Sequence, residues 1–191
     1  MRVQLSIKDM IGRRCISTVE RILLDFQVSA IRVSLGSAEF DCSNYPLISE
    51  SLKLALEKEG FKLVKNKEEK ILEQIKVAVL EMIYYGNNLN TIIRNSDYLS
   101  DKIGQPYSYL SKLFSEFTGQ TLEKYIILVK IERVKELLAY NEMTLSEISY
   151  QMGYSSVQYL STQFKQVTGF SVSDYKNMEQ KPRIPLDELL N

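Results

Sequence analysis

An internal repeat constrains this chain more than any other feature of its sequence. Seven residues recur at an offset of 50 positions along the chain. They are Tyr109, Leu110, Ser111, Phe114, Thr118, Gly119 and Tyr125, matched by Tyr159, Leu160, Ser161, Phe164, Thr168, Gly169 and Tyr175. Such repetition indicates one supersecondary unit used twice, whereas a helical repeat array needs about three copies to bury a core. The two copies therefore favour a unit that reads a partner at two points.

The second copy, residues 144–175, has the signals of two short helices joined by a tight turn. Leu145, Ile148 and Met152 recur at helical spacing, and Gly153 follows where a left-handed cap would need glycine. Ser155 or Ser156 is suited to cap the next helix. The apolar stripe predicted for that helix is Tyr159, Leu160, Phe164 and Val167. This arrangement predicts a helix-turn-helix.

Residues 99–176 resemble the DNA-binding domain of AraC-type (AraC/XylS) transcriptional regulators. The resemblance runs through LSDKIGQPYSYLSKLFSEFTG, KIERVKELL and LSEISYQMGYSSVQYLSTQFKQVTG. It implies an all-α domain in which a linker helix joins two helix-turn-helix units. It also implies a cytoplasmic, sequence-specific regulator, an activator that contacts RNA polymerase. Three positions depart from the family, where alanine, proline and arginine are usual: Ser149, Val172 and Lys176.

The helix predicted over residues 121–140 has the length that two reading helices require. Its 19 residues between the predicted cap Thr121 and Tyr140 span about 28 Å, close to the roughly 34 Å between successive major-groove faces of B-DNA. Apolar spacing predicts a leading helix over residues 71–85, and residues 87–96 are expected to form a loop. We assign residues 67–178 to the DNA-binding domain and 179–191 to a flexible tail.

The outward faces of the two predicted reading helices supply the candidate DNA contacts. Lys112 and Gln158 are the best candidates for base recognition, since lysine donates to guanine and glutamine pairs bidentately with adenine. Lys165 and the helix starts at Thr144 and Ser155 suit phosphates better. The predicted DNA-binding residues are Tyr107, Ser108, Ser111, Lys112, Ser155, Ser156, Val157, Gln158, Ser161, Thr162 and Lys165. A solvated helix face is the alternative for each of them.

Residues 1–65 predict a separate α+β domain. Val3, Leu5 and Ile7 alternate as in a half-buried strand, and apolar residues at helical spacing follow. Pro46 is suited to begin a second helix, whose apolar positions are Leu47, Leu52, Leu54 and Leu56. The resulting order βαββαβ predicts a ferredoxin-like sandwich with both helices on one face of an antiparallel sheet.

Residues 10–40 also resemble heavy-metal-associated domains, which carry M-x-C-x-x-C between the first strand and the first helix. Met10 and Cys15 match that motif, but Gly12 stands in place of its first cysteine. A soft metal needs several sulfur ligands, so no metal site is predicted, and Cys15 is a weak candidate only. We expect a regulatory or homodimerising domain. The alternative function is a thiol or soft-metal sensor or carrier centred on Cys15, whose thiol Arg13 and Arg14 would acidify.

Composition narrows the function further. Lysines and arginines together number 24, as do aspartates and glutamates together, so the net charge is zero. This balance predicts weak nonspecific DNA affinity and a shallow salt dependence. Histidine is absent, and no phosphate-binding loop or paired-carboxylate motif occurs, so neither an enzyme nor a cofactor is expected. No apolar run suggests a membrane span or a secretory signal, and two cysteines suggest reduced thiols in the cytoplasm.

Overall fold

The computed structural model describes residues 1–86 and 94–189, apart from the side chain of Asp187. The chain divides into two compact units, Met1–Val77 and Ala78–Asn191. The division falls inside helix α3, Lys67–Tyr84. Most of the loop predicted at 87–96 lies outside the described residues, as do the last two residues of the predicted tail.

The first unit contains a four-stranded antiparallel sheet with the strand order β2-β3-β1-β4. Its elements follow the predicted βαββαβ order. They are β1 (Arg2–Lys8), α1 (Arg13–Asp25), β2 (Ser29–Ser34), β3 (Ser37–Asp41), α2 (Tyr45–Lys58) and β4 (Lys62–Val64). Leu5 lies opposite Ala38 in the register of the two central strands, so their buried side chains share one face.

One hydrophobic core joins this face of the sheet to both helices. Val19 and Leu23 of α1 and Leu52 and Leu56 of α2 belong to it and are almost fully buried. The other two leucines among the apolar positions of α2 lie outside this core, because Leu47 is 83% exposed and Leu54 is 52% exposed. Both lie on the side of α2 that points away from the sheet.

The second unit is helical and begins within α3. Its further helices are α4 (Asn95–Ile103), α5 (Tyr107–Thr118), α6 (Leu122–Tyr140), α7 (Leu145–Gln151), α8 (Val157–Thr168) and α9 (Val172–Asn177), and a 3₁₀ turn spans Leu186–Glu188. Helices α4 and α5 form one closely connected pair and α7 and α8 another. Glycine permits the left-handed backbone in the turn of each pair, with φ of 72° at Gly104 and 68° at Gly153.

The sequence repeat is reproduced by repeated contacts. Thr118 Oγ1 donates to the carbonyl of Phe114 at 2.7 Å, and Thr168 Oγ1 donates to that of Phe164 at the same distance. The ring centroids of Phe114 and Tyr125 lie 5.1 Å apart, and those of Phe164 and Tyr175 lie 5.3 Å apart. The matching residues of the two copies therefore do the same structural work, closing a helix end and packing the next helix on it.

Helix α6 begins where the sequence predicts and is buried on more than one side. The side chain of Thr121 caps it by accepting from the amide of Lys124 at 3.2 Å. Ten residues are buried: Leu122, Tyr125, Ile126, Val129, Ile131, Glu132, Val134, Lys135, Leu137 and Leu138. A lysine is almost never buried unless it is paired, and Lys135 is 4% exposed because it pairs with Glu132 at 2.6 Å inside the unit.

Part of the segment predicted as a flexible tail packs on the helical unit. The amide of Ile184 donates to Glu132 Oε2 at 3.2 Å, and the hydroxyl of Tyr175 donates to the carbonyl of Pro182 at 3.2 Å. Leu189 is 6% exposed. The structure thus differs from the prediction over residues 182–189, because the sequence of this segment alone does not reveal the buried acceptor that it meets.

Two positions of the apolar stripe predicted for α8 provide a test of how this helix packs in the second unit. Leu160 is fully buried, whereas Val167 is 37% exposed and Tyr159 is 53% exposed, contrary to the predicted stripe. We expect Leu160→Ala to lower the free energy of unfolding by about 2–5 kcal/mol, since it leaves a cavity. The control Val167→Ala should change it by no more than about 0.5 kcal/mol. Urea unfolding followed by circular dichroism measures both, and equal losses would contradict the described orientation of α8.

Candidate nucleic-acid interface

The predicted contacts on α5 lie in its first two turns. Ser108 and Lys112 are exposed, and Ser111 is half-buried. The side chain of Lys112 is 75% exposed and its ammonium lies 3.7 Å from Glu116 one turn later. An exposed pair at this distance is weak, so the lysine remains available to another anion.

Tyr107, also a predicted contact, is held by a neighbour within the protein. Its hydroxyl donates to Glu123 Oε1 at 2.7 Å. Burial, together with the hydrogen bond to the carboxylate and the charge of that carboxylate, raises the pKa of Tyr107. The phenol is therefore fixed as a neutral donor that links the start of α5 to α6.

The start of α8 is organised by Ser156 and not by Ser155. Ser156 is the N-cap, and its hydroxyl accepts from the amide of Tyr159 at 3.1 Å. Ser155 is exposed and precedes the cap, and Val157 is the first helical residue. The remaining predicted contacts follow in the next two turns. Gln158, Thr162 and Lys165 are exposed and Ser161 is half-buried.

A second predicted phosphate position, the start of α7 at Thr144, is already occupied by a carboxylate. Glu147 Oε2 accepts from both the amide and the hydroxyl of Thr144 at 2.7 Å, which completes a capping box. These two hydrogen bonds lower the pKa of Glu147. An anionic phosphate would meet the negative charge of Glu147 here, so the geometry disfavours the predicted phosphate contact at α7.

Acidic residues are distributed unevenly over the helix starts of the second unit. Among the described helices that begin there, four carry an acid in the first turn, namely Asp97 in α4, Glu123 in α6, Glu147 in α7 and Asp174 in α9. Helices α5 and α8 carry none. A helix N-terminus has partial positive charge and unpaired amides, which attract anions when no side-chain carboxylate neutralises them. Helices α5 and α8 are therefore the two of these six helices whose first turns carry no carboxylate.

A cleft of about 440 Å³ lies between the start of α5, helix α6 and the α7–α8 turn. Several of its polar side chains have hydrogen-bond partners within the protein. Lys130 Nζ donates to the carbonyl of Met152 at 3.1 Å, and the Tyr154 hydroxyl donates to Gln163 Oε1 at 2.7 Å. Burial lowers the pKa of Lys130 and raises that of Tyr154. The cleft wall thus fixes the two helix pairs to α6.

The structure identifies surface residues that sequence reasoning missed. Tyr109 and Tyr159 are 39% and 53% exposed and stand beside the predicted contacts Ser108 and Gln158 on α5 and α8. The sequence placed Tyr159 in the buried stripe. The repeat could have shown that these two tyrosines are exposed. In both copies the next residue, Leu110 or Leu160, already fills the buried position.

The thiols show no arrangement that suggests a metal site. Within residues 1–86 and 94–189, no group of three or more His, Cys, Asp or Glu side chains is placed to hold a metal ion. Cys15 is half-buried, and Cys42 is buried and donates to Asn44 Oδ1 at 3.2 Å. Nothing in the described part of the chain favours the alternative of a sensor centred on Cys15.

The described helices also include none that is both long and apolar enough to cross a lipid bilayer.

The bond between Tyr107 and Glu123 predicts the alkaline titration of that tyrosine. Because the folded state favours the neutral phenol, its stabilisation is present below the ordinary pKa near 10 and is lost as pH rises through the higher folded value. Glu123→Gln removes the carboxylate charge, so the pKa of Tyr107 should fall. Absorbance at 295 nm should then show one tyrosine ionising earlier. Adding Tyr107→Phe as a control should abolish that difference, and superimposable curves for Glu123→Gln and the unaltered protein would contradict the bond.

Comparison with known proteins shows that the second unit is similar to parts of transcriptional regulators. Residues 99–178 match the family model described as a helix-turn-helix domain. An HTH-type transcriptional regulator from the cgkA 5′ region of Pseudoalteromonas carrageenovora is 34% identical over 54% of this chain and 63% of its own length. The xylose operon regulatory protein of Escherichia coli is 29% identical over 54% of this chain and 26% of its own length.

A third relative, the F1 operon positive regulatory protein of Yersinia pestis, is 30% identical over 49% of this chain and 31% of its own length. The matches therefore span less than two thirds of each of these relatives. Residues 99–178 are therefore similar to the helix-turn-helix domains of transcriptional regulators.

Proposed function

We propose that this protein is a transcriptional regulator that binds double-stranded DNA sequence-specifically through α5 and α8. In this proposal α4–α5 and α7–α8 are two helix-turn-helix units, and their second helices enter two successive major grooves. The observation that carries it is the pair of helix starts without acidic residues, each followed by exposed polar side chains that are able to reach base edges.

The dimensions of α6 support reading at two points. Its 19 residues give a length of about 28 Å, and the two helix pairs pack on it. Recognition helices in adjacent major grooves on one side of B-DNA are about 34 Å apart. The side chains of α5 and α8 add the remaining reach, so one copy of the chain is sufficient to contact both grooves.

The proposal includes a direction of regulation and a role for the first unit. We infer an activator that contacts RNA polymerase beside the promoter, in line with the AraC-type domain and with a relative named as a positive regulator. We further infer that the first unit is a ferredoxin-like sandwich, supported by its strand order and its shared helix face. Its inferred role is regulation or homodimerisation, and its inferred extent is residues 1–65.

Selection of bound duplexes from a random pool by the full chain tests the proposed function. We expect enrichment of one motif with two half-sites about one helical turn apart. A parallel selection in which the pool has been replaced by single-stranded DNA should enrich nothing. If the duplex pool also yields no motif at moderate salt, sequence-specific DNA binding is excluded.

Substitution at the cap of α8 tests whether its positive end faces DNA. Ser156→Asp keeps a good N-cap but adds a negative charge where a phosphate or base edge is expected. We expect unchanged folding and a loss of affinity of about tenfold, which corresponds to 1.4 kcal/mol. Ser171→Asp is the matched control, since Ser171 caps α9, which already carries Asp174. Equal affinity of both variants and the unaltered protein would show that the α8 start is not at the interface.

Substitution of Gln158 tests base recognition directly. An exposed glutamine on α8 that pairs with adenine should contribute about 1–3 kcal/mol of discrimination at one position of the site. Gln158→Ala should therefore relax the preference at that single base pair, measured by binding to a panel of mismatched duplexes. Gln166→Ala, exposed two turns later, should leave every preference intact. A mismatch profile for Gln158→Ala identical to that of the unaltered protein would remove Gln158 from the reading surface.

A further inference from the structure

The segment that follows α9 crosses from one helix pair to the other. It leaves α9 beside Tyr175, whose hydroxyl donates to the carbonyl of Pro182 at 3.2 Å. Midway along α6 its Ile184 amide donates to Glu132 Oε2 at 3.2 Å. It ends at Leu189, whose carbonyl accepts from Gln120 Nε2 at 3.0 Å in the turn between α5 and α6. Residues 182–189 thus contact the end of the second pair, the linker helix and the end of the first pair.

The contact at Glu132 lies in the interior of the helical unit and not on its surface. Its side chain is 3% exposed and its other oxygen accepts from Lys135 Nζ at 2.6 Å. A buried carboxylate needs hydrogen-bond donors for its remaining lone pairs, and a donor from the crossing segment meets that need. Arg183 Nε, 3.9 Å away, adds a second positive group. The segment therefore supplies a further hydrogen bond and a positive group to the buried carboxylate at the centre of α6.

The far end of the segment is anchored by apolar burial. Leu189 is 6% exposed, although it follows a stretch of largely exposed residues. The 3₁₀ turn Leu186–Glu188 directs the chain to this position. A hydrogen bond from Gln120 and a buried leucine are independent attachments, so the segment is tied at both of its ends and at its middle.

We propose that residues 182–189 are a brace that fixes the separation and orientation of α5 and α8. Without it, α6 alone would connect the two helix pairs, and small bends of a single helix would change the distance between the reading helices. A second connection parallel to α6 removes that freedom. The consequence for recognition rests on the proposed function: the brace makes the protein discriminate between sites whose half-sites differ in spacing.

Paired substitutions at Ile184 isolate the central contact. The side chain of Ile184 is 45% exposed, and what reaches Glu132 is its backbone amide. Ile184→Pro removes this donor, whereas Ile184→Ala keeps it and is the matched control. Leu189→Asp is a second brace variant, which disrupts the far anchor without touching Glu132. Circular dichroism of each variant establishes that the helices are retained.

The first measurement needs no DNA. Spin labels are attached to the full chain through Glu116→Cys and Gln166→Cys, equivalent exposed positions of α5 and α8, with Cys15→Ser and Cys42→Ser. Double electron–electron resonance then gives the distribution of distances between the two helices. We expect a narrow distribution with isoleucine or alanine at position 184, and a clearly broader one for Ile184→Pro and Leu189→Asp. Equal widths in all four proteins would overturn the brace.

The second measurement uses duplexes that carry the selected motif at its own half-site spacing or with one or two base pairs inserted. The unaltered protein should prefer its own spacing. Both brace variants should lose about tenfold of that preference while binding an isolated half-site equally well, since only the effective concentration of the second helix pair changes. Undiminished spacing preference in both variants overturns the brace and leaves DNA reading intact. Absence of any motif for the unaltered protein overturns the proposed function instead, and the distance measurement still decides the brace.

Discussion

The burial of α6 is the constraint on which the helical unit depends. A helix that is apolar on one stripe needs one partner, whereas one that buries ten of its residues must be enclosed by several. Neither helix pair encloses it alone. The first pair reaches its beginning through Phe114 and Tyr125, and the second reaches its later turns through the wall at Lys130 and Met152. Helix α6 is therefore the shared core of two helix pairs, each of which is too small to bury a core independently.

The charged residues inside this core follow from the same constraint. Glu132 and Lys135 are on one face of α6 and are nearly inaccessible, so each is required by the other. Removing one member leaves a buried charge without compensation, which is why such a pair is strongly specified once present. Because Glu132 also accepts from the segment after α9, the ion pair connects the interior of the unit with a stretch of chain outside the helix pairs.

Local signals in the sequence were sufficient to predict most of the fold, but they were not sufficient to predict long-range packing. Caps at Thr121 and Thr144 and the glycine turns act within a few residues, so the sequence predicted them directly. The exposure of Tyr159 and Val167 depends on which elements cover α8, which periodicity alone does not specify. For the same reason, periodicity alone does not specify the burial of Lys135 or the packing of residues 182–189. For the candidate site, the repeat located the two equivalent helices α5 and α8, whereas the hydrogen bond from Tyr107 to Glu123 depends on tertiary packing that the sequence does not specify.

The arrangement of charge reconciles a neutral chain with the proposed binding of DNA, a polyanion. Residues 66–191 carry 14 lysines and arginines against 16 aspartates and glutamates, so an excess of positive charge does not attract DNA to this region. Position matters more than the total. Several acids are engaged at the starts of helices away from α5 and α8 or inside the unit, at Glu147 and Glu132 for example. What remains at the starts of α5 and α8 is the positive end of each helix dipole, whose influence fades within about one turn. Such short-range attraction favours close, specific docking over long-range nonspecific association, and it makes the separation of the two helix starts, and not the net charge, the quantity that selects a site.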